Sequence, residues 1–138
     1  MLEYKLQIAQ SVIRVFAGIL FLFQGYDKIF KVKINGVVNT FIEDAEHLHI
    51  HKPWVILVTY LTSYIELIGG LFLIVGLLTN YVLAALGFDL VLVCFAFSLI
   101  RPMWDMQYVF PRLILISTLL FLPNEYNQIS LDYLLTIK

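Results

Sequence analysis

Residues 63–79 read SYIELIGGLFLIVGLLT. The run is almost wholly apolar, and it extends back to Trp54 without a second charge. A helix that crosses a bilayer needs about 20 mainly apolar residues, so residues 54–78 read as a membrane span, opening after Pro53 as a helix start does. Glu66 lies inside it. A charged side chain near mid-bilayer costs about 2.5–3.5 kcal/mol on insertion scales. Such a group has to face other helices and find a partner, or carry a proton. The stretch therefore predicts helices in lipid with a polar interior.

The rest of the chain agrees. Of 138 residues, 61% are hydrophobic and 14% charged, and the mean hydropathy is +0.88. A soluble domain carries about 45–50% apolar and about 25% charged residues. A 16.0 kDa chain has too little interior to hide so much apolar surface from water. A formal net charge of −1 excludes the basic footprint of a nucleic-acid binder. The single cysteine, Cys94, excludes a disulfide within the chain and a CxxC redox pair.

Three further apolar runs read as spans: residues 8–30, 81–100 (closed by Arg101-Pro102) and 108–122 (closed by Pro123-Asn124). The first is followed by GYDKIFKVK rather than by a small-residue cleavage site, which reads as a retained membrane helix. Thr79-Asn80 leaves room only for a tight hairpin between spans two and three. Between spans one and two, Val37, Val38, Phe41, Ala45 and Leu48 fall at helical spacing among Glu43, Asp44, Glu46 and His47. That pattern predicts an amphipathic helix at the membrane interface. ISLDYLLTI, residues 129–137, opens on Ser130 as an N-cap and predicts a second short interfacial helix. The expected architecture is all-α: a single integral membrane domain, a four-helix bundle with an amphipathic interfacial helix between spans one and two. Lys28, Lys31, Lys33, Lys52, Arg101 and Arg112 gather on the side of the larger loops, against Lys5 and Lys138 at the termini. The positive-inside rule then places those loops in the cytoplasm. Trp54, Trp104, Tyr108 and Tyr126 sit near span ends, as interfacial anchors do.

Two stripes carry the buried charge. Thr62, Glu66, Gly69, Leu73 and Gly76 recur on one face of span two, and Arg14, Gly18, Phe21, Gly25 and Lys28 on one face of span one. Small residues let membrane helices approach closely and polar ones bond across the seam, so these faces are expected to meet. Counted from the large-loop side at about 1.5 Å per residue, Glu66 lies roughly 18 Å deep, Arg14 roughly 24 Å and Asp89 roughly 18 Å. This ruler predicts an Arg14–Glu66 ion pair with Asp89 at the same depth. Arg112, at the other end of the bundle from Arg14, has farther to reach to meet Asp89. Two readings stand: the charges fix helix register, or two carboxyls beside a cation form a proton-responsive or ligand-binding site.

EHLHIHKP places His47, His49 and His51 at alternate positions. His47 and His51 have the i, i+4 spacing of helical metal ligands, and all three would share one face of a strand. They are the candidates for a metal or haem, on a weak pattern: no cysteine lies nearby, and a histidine-rich interfacial loop needs no metal.

The run VIRVFAGILFLFQGYDKIF, with Arg14, Gly18, Gly25 and Lys28, resembles the opening helix of the DoxX family. YIELIGGLFLIVGLLT resembles its second helix, with Glu66, Gly69, Gly70, Gly76, Leu77 and Thr79. ISLDYLL resembles its terminal S-L-D, here Ser130, Leu131 and Asp132. The resemblance spans nearly the whole chain. It implies a four-helix protein of the bacterial inner membrane, similar in architecture to MauE-type proteins, in a redox context linked to quinone chemistry. The pair of cysteines that dithiol chemistry needs is missing.

The expected function is a membrane subunit of a respiratory or redox-associated complex, binding a quinone or partner subunit around Arg14, Glu66 and Asp89, with Lys28 and Arg112 as further candidates. Without a cofactor motif the chain is not expected to be a complete enzyme, and haem is a weaker expectation than quinone. The expected partners are lipid and other membrane or redox subunits, or further copies of the chain. The alternatives are an envelope scaffold whose charges are structural, and a small proton-coupled carrier.

Overall fold

The computed structural model describes residues 2–100, 106–107 and 109–136. Among them the regular structure is entirely helical: α1 (Leu2–Tyr26), continued by a π turn (Asp27–Lys31), then α2 (Ile34–His47), α3 (Lys52–Val75), α4 (Thr79–Ile100), α5 (Phe110–Phe121), a 3-10 turn (Asn124–Tyr126) and α6 (Leu131–Thr136). The expected stop at Arg101-Pro102, the anchors Trp104 and Tyr108 and the terminal Lys138 lie outside the described residues.

Three segments are long and apolar enough to cross a membrane: Glu3–Lys31, Lys52–Val75 and Thr79–Leu99. Their outer faces are apolar too. Val12, Phe16, Ile19 and Phe23 are exposed along α1, and Phe88, Val91 and Phe95 along α4. Each set repeats at steps of three and four, the spacing of one helix face. In water these stripes would be a large aggregation liability; in lipid they are the solvated surface. Where residues 108–122 predict a fourth full span, α5 is apolar but has 12 residues. That is about 18 Å of helix against a hydrocarbon core of about 30 Å.

Helix ends follow local chemistry. α3 carries Pro at its first turn and ends at Gly76, whose φ of 71° is the left-handed cap that glycine adopts without a Cβ clash. Gly76 and Leu77 both donate their N–H to Phe72 O, at 2.9 and 3.0 Å. The hairpin turn is thus residues 76–78, and α4 begins at Thr79 rather than after the expected Thr79-Asn80 connection. α6 opens as read: Ser130 Oγ accepts the Tyr133 N–H at 3.2 Å. In α2, Ile34, Val38 and Ala45 are buried, while Glu43, Glu46 and His47 are exposed.

α1 packs mainly on α3, α3 on α4, α4 on α5, and α5 back on α1, with α2 against α3. The core between them contains Ala17, Phe21, Leu73, Leu86, Leu90 and Ile116. The α1–α3 seam is backbone against backbone. A Cβ on Gly25 would lie 2.5 Å from Leu67 N, and one on Gly70 would strike Leu22 N. Only glycine allows that approach, as the two stripes predict. One residue differs: Gly70 faces α1, while Gly69 faces Leu86 of α4.

Candidate functional site

The seam fixes where each charge goes. Gly18 lies against Gly70 and Ile74, and Gly25 against Ser63 and Leu67. Running the two antiparallel helices on from these contacts sets Gln24 level with Glu66, Lys28 one turn beyond and within side-chain reach, and Arg14 beside the end of α3. Lys28 Nζ meets Glu66 Oε2 at 2.6 Å, and Gln24 Nε2 donates to Glu66 Oε1 at 2.8 Å. Glu66 is 1% exposed, so it needs both partners. Lys28 sits in the π turn that ends α1. Gln24 was not singled out from the sequence. Its signal was its position four residues before Lys28, on the same helix face.

The expected Arg14–Glu66 pair does not form. Arg14 donates from one terminal nitrogen to Leu73 O (2.6 Å) and Ile74 O (3.0 Å), and from the other to Ile129 O (2.6 Å). The reason lies in the depth ruler. It set the end of span one level with the start of span two. The observed register slides α3 by about six residues, or about 9 Å, relative to α1. Arg14 thereby reaches the last carbonyls of α3, which have no partner within the helix, and its positive charge suits that end of the helix dipole.

Across the same turn, Asp132 accepts the Leu78 N–H on Oδ1 and the Thr79 N–H on Oδ2, both at 2.7 Å, capping the start of α4. Its own N–H returns to Gly76 O at 2.9 Å. Burial alone would raise the Asp132 carboxyl, but the bonds from Thr79 and Leu78 and the charge of Arg14 outweigh it and hold it below the usual aspartate range. Arg14, Gly76, Thr79, Ser130 and Asp132, separate motifs in the sequence, form one clasp.

The large-loop end holds a cavity of about 610 Å³, within the range of small-molecule sites. Its walls are chiefly the first half of α3 and the last half of α4, with Val37 and Phe41 of α2 over it. Phe41 meets Phe97 edge to face at 5.4 Å, tying α2 to α4. The lining is apolar except for a few groups, among them Gln24, Lys28, Glu66 and Arg112. Arg112, a further candidate from the sequence, lines the same cavity and lies within electrostatic range of Glu66. The short α5 brings it there from its first turn. Asp89 is 1% exposed and within electrostatic range of Glu66 and Lys28.

The histidines share neither a helix nor a strand. His47 ends α2, His49 sits in the connection at φ 59° and His51 precedes α3. All three are exposed, and among the described residues no three His, Cys, Asp or Glu side chains gather to hold a metal.

The model of the family described as DoxX matches residues 9–99, the greater part of the chain and the whole stretch that builds the α1–α3 seam. The chain belongs to the DoxX family. No curated protein and no solved structure matches it. As a DoxX protein with three apolar helices long enough to cross a bilayer, it is a multi-pass membrane protein in contact with lipid.

Proposed function

We propose that this DoxX protein is a membrane subunit of a redox-associated complex in the bacterial inner membrane, and that its cavity takes a quinone. The observation that carries the reading is the cavity: apolar walls that suit a prenyl chain, with Lys28 and Arg112 among the few polar groups. The Lys28 ammonium and Arg112 guanidinium are donors without acceptor capacity, and a quinone head offers carbonyl acceptors. Glu66, itself bonded by Gln24, holds Lys28 in place. Arg14, whose three bonds all go to backbone carbonyls, is read as structural rather than as part of this site. No electron carrier is read in the chain, so electrons come from a partner subunit.

In the same reading, α1, α3, α4 and α5 form the four-helix bundle, with α5 crossing part of the bilayer. α2 is the interfacial helix, and the larger loops face the cytoplasm.

The test uses purified protein in lipid nanodiscs and a decyl-chain benzoquinone. Trp54 lines the cavity, so a quinone bound there quenches tryptophan emission. Saturable quenching that weakens at least tenfold in Lys28→Met and in Arg112→Leu supports the site. Linear quenching, unchanged in both variants, leaves the chain as a scaffold.

A further inference from the structure

Asp89 has no part in the cavity chemistry above, yet it is 1% exposed and neither carboxyl oxygen has a hydrogen-bond partner among the described residues. Its surroundings follow from the α3–α4 register. A Cβ on Gly69 would lie 3.0 Å from Leu86 Cδ2. One turn from that contact toward the cavity lie Glu66 on α3 and Asp89 on α4. In an antiparallel hairpin these two positions face each other. From the end of α1, Lys28 and Gln24 bind Glu66. From α5, Arg112 lines the cavity, and α2 presents Val37 and Phe41 there. Asp89 receives a donor from none of them.

Two buried carboxyls at facing positions of neighbouring helices disfavour double ionisation, and an ionised carboxylate buried without any donor is the costlier form. Glu66, bonded to an ammonium and an amide, is the member equipped to stay charged.

We propose that the Glu66–Asp89 pair is a proton-binding site that holds one proton, resident on Asp89, while Glu66 stays ionised against Lys28. The proton is kept from water, and Glu66 stands between it and the cavity as the next acceptor. The proposal concerns the ligand-free protein and stands whether or not a quinone binds.

Infrared spectroscopy of the ligand-free protein in an ester-free maltoside detergent at neutral pH tests it. Glu66 and Asp89 are the buried carboxylic side chains among the described residues, so a protonated one gives an identifiable carbonyl stretch. The expected result is that band in the wild type, its loss in Asp89→Asn and its return at a shifted frequency in Asp89→Glu. A wild type without the band overturns the proposal, whatever becomes of the variants. So does a band that survives Asp89→Asn, since the proton then sits elsewhere. Quinone quenching is a separate readout, so either proposal can fail alone.

Discussion

Arg14 and Asp132 hold opposite sides of one helix turn: Arg14 donates to the last carbonyls of α3, and Asp132 accepts from the first amides of α4. Each satisfies backbone groups that a helix end leaves open. Each also carries the charge that its helix terminus favours.

Removing Arg14 therefore strands buried carbonyls. Arg14→Leu is expected to cost about 2–4 kcal/mol, several unmet bonds at about 1 kcal/mol or more each. Arg14→Lys should recover only part, because an ammonium lacks the planar fork that reaches Leu73 and Ile129 together. Thermal unfolding in a mild detergent measures both. If Arg14→Leu unfolds like the wild type, the clasp has no energetic role.

Asp132 sets a pH dependence. Its carboxyl is held below its ordinary value, which is about 3.9 in an unfolded chain. A depressed folded value means that the stabilisation is present above the unfolded value and is lost as pH falls through the folded one. Wild type and Asp132→Asn should thus differ most near neutral pH and converge in acid below about pH 4. Unfolding midpoints recorded down a pH series decide it, and a gap that widens in acid contradicts the assignment.

The neighbouring glycines should respond unequally. Gly70→Ala pushes a methyl into the backbone at Leu22, which cannot yield without separating the helices. Gly69→Ala meets the end of the Leu86 side chain, which can turn. The first is expected to cost about 3 kcal/mol and the second under about 1 kcal/mol. Equal losses in an unfolding assay would place the seam on the wrong glycine.

Lys28 and Glu66 should be coupled. Breaking a buried pair costs about 3–5 kcal/mol. The Lys28 side chain is 21% exposed, which lowers the expectation for Lys28→Met to about 2–3 kcal/mol. Replacing both, as Lys28→Met with Glu66→Leu, should restore most of the loss. A double-mutant cycle on unfolding free energies gives the coupling, and additive losses would mean that the two side chains act independently.

Much of this was legible in the sequence, because lipid imposes strong patterns. The spans stood out as apolar runs, the α1–α3 seam as two stripes of small residues, and α2 as a face of Val38 and Ala45. What periodicity lacks is relative height. Glu66 and Arg14 both sat on the meeting faces, but the faces slide, and a slip of about six residues exchanges one ion pair for another. The Arg14–Asp132 clasp joins residues far apart in the chain. The stripe on span one marked Arg14 and likeness to a family motif marked Asp132, but neither showed that the two meet.

The glycine seam also has a mechanical consequence. Where Gly18, Gly25 and Gly70 put backbone against backbone, no flexible side chain is there to take up a shift, so α1 and α3 are held to one another as a single beam. The turn from α3 to α4 is pinned by the clasp, and the far half of α4 is tied to α2 through Phe41 and Phe97, so each end of that helix is held by a segment outside the beam.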